Sequence, residues 1–182
     1  MLKNTTKRYG KVSVLLHWLM ALMLVSLFGI GLYMTDLGYY DSLYHILPWW
    51  HKSFGLLILA LLLARMLWSF INPKPQPPET HKHWEKKAAA ISHPLLYALT
   101  LLICASGYFI STSGGAGIEF FGWFDVPAIT QLSAENTDLA GDIHFYLAWG
   151  LIVLAAVHAL AALKHHFIDR DNTLINMTLG KK

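Results

Sequence analysis

The sequence predicts an all-α integral membrane protein, a four-helix bundle with both termini in the cytoplasm. Three observations predict it. Of its 182 residues 55% are hydrophobic and only 14% charged, where a soluble domain carries about 25% charge. Four windows are long and apolar enough to span a bilayer, which takes about 20 residues. Lysine and arginine, finally, are sorted onto alternate connections between those windows.

The windows fall at about 12–34, 49–71, 91–112 and 143–163, and together read as one transmembrane domain over residues 1–182. The first is too long for the apolar stretch of a secretory leader and no small-residue cleavage site follows it, so it reads as a retained helix. The second stops at Asn72-Pro73-Lys74-Pro75-Gln76-Pro77-Pro78, because proline cannot continue a helix. Residues 81–90 read as a short amphipathic surface helix, with Pro94 marking the N-terminus of the third span. The fourth span opens at His144. The longest loop, 113–141, contains Phe120, Phe121, Trp123 and Phe124, rings suited to the membrane interface.

With four spans, Lys3, Lys7, Arg8, Lys11, Arg65, Lys74, Lys82, Lys86, Lys87, Lys164, Arg170, Lys181 and Lys182 lie on one side. The other side has Lys52 alone, among Asp36, Asp41, Glu119, Asp125, Glu135, Asp138 and Asp142. The positive-inside rule puts the basic side in the cytoplasm. The net charge of +3 is modest, and lipid rather than nucleic acid is the expected partner. The single cysteine, Cys104, excludes an intrachain disulfide and a Cys-x-x-Cys-His haem attachment site.

Ten histidines are many for so apolar a chain. His144 and His158 are 14 residues apart, close to four turns, so they share a face about 21 Å apart along the axis. His51 matches His144 in depth near the outer side, and His17 matches His158 near the inner side. Four histidines thus resolve into two pairs. Two imidazoles saturate a haem iron and leave no open position, which favours electron transfer over oxygen activation. A lone intramembrane histidine often merely hydrogen-bonds a neighbour, but polar groups at membrane depth are costly and functional by default. Transport of zinc or protons would recruit acidic residues, and the four windows hold none.

Arg65, 14 residues after His51, would reach the level of the inner pair and suits a haem propionate; the plainer reading is an arginine snorkelling to the interface. Lys52 could pair with an outer propionate or attract an anion, or simply be exposed. His93 could contact a haem edge or a quinone or lie at the interface, and the interface is the preferred reading. His81 and His83 read as solvated, and His165 and His166 suit the C-terminal end of a helix dipole. Gly29, Gly31, Gly55 and Gly107 allow either close helix contact or room for a flat macrocycle.

Several blocks carry a resemblance over nearly the full length: Arg8-Tyr9-Gly10 with Leu16-His17-Trp18; His51-Lys52-Ser53-Phe54-Gly55; Arg65 and the proline-rich stop; His93-Pro94-Leu95-Leu96-Tyr97; Ser106-Gly107-Tyr108; and His144, His158 and Ala162-Leu163-Lys164-His165-His166-Phe167. In their order and spacing the chain resembles the bacterial cytochrome b561 family. The resemblance implies two haems b in the cytoplasmic (inner) membrane, with His17, His51, His144 and His158 as axial ligands of the iron. It implies electron exchange with the quinone pool, ubiquinone among its cofactors. Two alternatives are a superoxide:ubiquinone oxidoreductase and a cytochrome b subunit anchoring a larger dehydrogenase, with an outer-side redox protein or superoxide as partner. No separate catalytic residue is expected.

Overall fold

The computed structural model describes residues 1–6, 8–78 and 80–178; Lys7, Lys181 and Lys182 of the charge pattern lie outside them. Four helices carry the chain: α1 (Lys11–Thr35), α2 (Ile46–Ile71), α3 (His83–Thr112) and α4 (Ala134–Phe167). All four are long and apolar enough to cross a membrane. Leu22, Leu63 and Val153 point outward from them, as residues facing lipid should.

Two boundaries correct the sequence reading. Residues 83–90 are not a separate surface helix but the first turns of α3, and Pro94 lies inside that helix rather than at its start. Pro94 has no N–H to offer the preceding turn. Membrane helices tolerate this where neighbouring groups re-satisfy the freed carbonyl, which in α3 is that of Ala90. The true start is fixed by Glu85, whose carboxylate accepts from the Lys82 amide at 2.7 Å, a helix-capping contact. Likewise α4 begins at Ala134, well before His144. There the Ser133 hydroxyl accepts the Asn136 amide at 3.3 Å, satisfying one of the orphan donors of the first turn.

Between α3 and α4 the chain forms a small hairpin, β1 (Ile118–Phe120) and β2 (Phe124–Val126), antiparallel with Glu119 opposite Asp125. Phe121 and Gly122 take positive φ in its turn. Fully buried Ser53 of α2 holds it, its hydroxyl donating to the Glu119 carbonyl at 3.1 Å and accepting the Phe121 amide at 3.2 Å. The Trp49 indole donates to the Glu119 carboxylate at 3.1 Å.

The N-terminal segment, the linker after α2 and the C-terminal tail meet at the opposite end. The Gln76 amide bonds the Thr6 carbonyl at 2.9 Å. The Trp18 indole donates to the Met177 carbonyl at 2.6 Å, in a short 3-10 turn, Ile175–Met177. The molecule thus has a termini end and a hairpin end.

Helices α1, α2 and α3 pack in sequence, and α4 packs mainly on α3, meeting α1 only sparsely. The core follows this order. Met20, Ile58 and Leu62 are its buried centre, joined by Met23, Leu24, Leu27, Leu61, Met66, Tyr97 and Cys104. Among the described residues it takes nothing from α4.

Candidate functional site

The faces that α4 turns towards α1 and α2 are bridged by histidines. Near the hairpin end, the rings of His51 (α2) and His144 (α4) lie 6.2 Å apart between centres, with planes at 67°. Near the termini end, His17 (α1) and His158 (α4) also lie 6.2 Å apart, at 76°. The structure brings together both pairs that the sequence placed at matching depth. An imidazole nitrogen ligates a first-row metal at about 2.0–2.1 Å with its ring centre roughly 1.1 Å behind, so two imidazoles trans on one metal have centres roughly 6.3 Å apart. Both pairs have that spacing.

The surroundings prepare the rings. His144 Nδ1 lies 3.1 Å from the Ile103 carbonyl and 3.1 Å from the Ser106 hydroxyl. A carbonyl only accepts, so Nδ1 carries the proton and Nε2 keeps its lone pair. His51 Nδ1 is buried and has no hydrogen-bond partner among the described residues, a nitrogen left free for another acceptor or a metal. Two glycines make room. A Cβ on Gly31 would sit 3.3 Å from Cε1 of His51, and one on Gly107 only 3.0 Å from Cε1 of His144.

The triplet Ser106-Gly107-Tyr108 therefore does three things: it bonds His144, it admits the His144 ring, and it pins the long loop. The Tyr108 hydroxyl donates to the Pro127 carbonyl at 2.6 Å and accepts the Ile129 amide at 3.0 Å. The roles of Ser106 and Gly31 were not read from the sequence. The order of blocks singled out the triplet, but nothing in it says which face meets His144.

Residues of less certain role also find their places. The His93 ring lies 5.3 Å from that of His158, beside the termini-end pair. Arg65 is on that level too, where its charge acts on His17, His93 and His158. Its partner is Tyr97: Arg65 Nε donates to the phenol oxygen at 2.8 Å, with the guanidinium 5.6 Å from the ring centre. Lys52, next to His51, lines a shallow groove with Met34, Thr35, Tyr44, His45, Pro48 and Trp49.

Comparison with known proteins adds the decisive observation: residues 8–180 match the family model described as prokaryotic cytochrome b561. The chain belongs to this family. It is 47% identical to cytochrome b561 homolog 2 of Escherichia coli (strain K12) over 98% of its own length and 94% of the relative's. It is 29% identical to cytochrome b561 homolog 1 of the same organism, covering 96% and 99% of the two chains. It is 28% identical to the probable superoxide oxidase CybB of Yersinia pestis, covering 97% and 98%. As a member of the family it is a bacterial inner-membrane cytochrome b, and a cytochrome b carries haem b. The residues present fit that group: two pairs of half-buried imidazoles with ring centres 6.2 Å apart, and glycines against the rings of His51 and His144.

Two readings need correction. His81 is not solvated: its side chain is only 9% exposed and its Nε2 lies 3.1 Å from Asp171 Oδ2. His165 does more than complement a helix dipole, being buried with Nδ1 at 2.9 Å from carboxylate oxygens of both Asp169 and Asp171. His83 is exposed, as expected. Burial would raise the Asp171 carboxyl, but hydrogen bonds from Thr173 and the charges of His165 and His81 outweigh it and hold the group below its usual range.

Proposed function

We propose that the chain is a dihaem cytochrome that passes electrons across the inner membrane and exchanges them with the quinone pool, with both termini and the basic connections in the cytoplasm. The observation that carries this reading is the equal spacing of the two histidine pairs. His17 and His158 would hold the inner haem, and His51 and His144 the outer one. Haem b, when bound, supplies reversible one-electron transfer without a proton.

The protein's own residues account for the rest. His17 with His158, and His51 with His144, would supply both protein ligands to each iron and would leave none for oxygen. Ile103 and Ser106 fix the His144 tautomer and make its free nitrogen a better donor, as hydrogen bonds behind a metal-binding histidine do. Arg65 supplies a fixed positive charge at the inner level, steadied by Tyr97. The 14-residue offset between His144 and His158 on α4 would set the two ligand positions about 21 Å apart through the bilayer. The test is pyridine haemochrome quantitation on purified protein, with a reduced-minus-oxidised spectrum. Two low-spin haems b per chain are expected, falling to one in His17→Ala, His51→Ala, His144→Ala or His158→Ala. Two haems retained in these variants would overturn the ligand assignment.

A second reading, superoxide oxidation coupled to quinone reduction, is favoured by Lys52. It is the one lysine or arginine expected on the outer face and lines a groove with Tyr44, His45 and Trp49, where it could attract an anion. The name of the Yersinia pestis relative points the same way. A several-fold slower superoxide-dependent haem reduction in Lys52→Ala supports this reading; an unchanged rate counts against it.

A further inference from the structure

Away from the paired histidines, three chain segments bring three ligand-type side chains to one buried point. His81 comes from the linker after α2, His165 from the last turn of α4, and Asp171 from the tail. His81 Nε2, His165 Nδ1 and a carboxylate oxygen of Asp171 lie within 4.8 Å of one another. Their side chains are 9%, 10% and 4% exposed. We propose that these three atoms form a binding site for a zinc-class divalent cation that fastens the C-terminal tail to the linker.

The donor geometry is the first argument. Around a tetrahedral zinc with bonds of about 2.0–2.1 Å, neighbouring donors lie roughly 3.3 Å apart. Here the two imidazole nitrogens lie 3.1 and 2.9 Å from Asp171 Oδ2. The second argument is how the ligands are held. Asp171 Oδ1 accepts the Thr173 amide at 2.8 Å, so its other oxygen faces the two imidazoles. The two rings stack at 4.1 Å with planes 26° apart, and each sets one nitrogen against the same Asp171 oxygen. Such outer contacts orient metal ligands. The third argument is the chemistry of the set. Two imidazoles and one carboxylate suit zinc, offer too few oxygens for calcium or magnesium, and lack the sulfur a copper(I) site prefers. Three protein ligands leave a fourth position for water.

Without a cation, the same atoms make a plain hydrogen-bonded clasp, in which the Thr173 hydroxyl also meets His81 Nε2 at 2.9 Å. With one, the tail that carries Asp171 and leads to Met177 is locked over Trp18, the neighbour of His17. The proposal does not depend on the haem assignment.

The test uses the full chain, haem-loaded and without a polyhistidine tag, stripped with chelator and titrated with zinc chloride. One zinc per chain is expected, with affinity falling at least tenfold in Asp171→Asn and in His81→Gln but not in the exposed His83→Gln. No stoichiometric zinc, or equal affinity in all variants, would overturn the site and leave the hydrogen-bonded clasp. A second measurement needs no variant: hydrogen exchange of residues 165–178 in the wild type, with and without zinc. Slower exchange there with zinc is expected, and identical exchange overturns the proposal even if the variants fold poorly. Haem content read on the same samples keeps this result separate from that of the histidine pairs.

Discussion

Gly107 lies so close to His144 that even a methyl group on its α-carbon would come within 3.0 Å of Cε1 of the ring. Most β-carbons never approach a neighbour so tightly, so a larger side chain here must displace the imidazole. On the proposed dihaem assignment, Gly107→Leu should therefore lose the outer haem while keeping the inner one, lowering pyridine haemochrome from two per chain to one. Gly107→Ala should retain both, with weaker binding at the outer site.

Ser106→Ala removes a hydroxyl from the group behind His144 but leaves the Ile103 carbonyl in place. Losing one such hydrogen bond is worth about 1 kcal/mol, or roughly 40 mV for a one-electron couple. A less electron-rich imidazole stabilises ferric iron less. The midpoint potential of the outer haem should therefore rise by up to about that amount in a potentiometric titration, with both haems retained.

Arg65 and Tyr97 separate a charge from its support. Removing a positive charge within about 10 Å of a redox centre costs the reduced form on the order of 1 kcal/mol. Arg65→Gln should lower the inner potential by some tens of millivolts, while Tyr97→Phe, which keeps the charge, should shift it less. Equal shifts in the two variants would show that the hydrogen bond, not the charge, sets the potential.

Ser53 is fully buried and serves two hairpin backbone groups at once. Ser53→Ala leaves both without that partner, at a cost of about 1–3 kcal/mol. Hydrogen exchange at residues 118–126 should quicken roughly tenfold or more, with little change in the helices.

The spans and both histidine pairs were legible in the sequence because membrane depth is a one-dimensional quantity. Counting residues from each helix end places His17 against His158 and His51 against His144. What counting cannot supply is rotation about the helix axis. It gives no sign that Gly31 faces His51, that Ser106 stands behind His144, or that His93 faces His158. Pro94 misled because its local meaning, a helix start, is overridden where the apolar helix runs through it. His81, His165 and Asp171 were missed for another reason: their meeting depends on how a proline-rich linker and a tail fold back, which no periodicity records.

Among the described residues the hydrophobic centre is made by α1, α2 and α3, while α4 reaches α1 and α2 through His158, His144 and the contact of Trp149 with Phe28. That division has a consequence for biogenesis. The ribosome delivers the first three helices, with His17 and His51 already aboard, as a unit able to settle in lipid by itself. If the paired histidines hold haem as proposed, the last-made helix closes over the bound group, with His144 and His158 as the latch. A cell short of haem should accordingly accumulate chains whose first three helices are seated and whose fourth is ajar, open to membrane proteases.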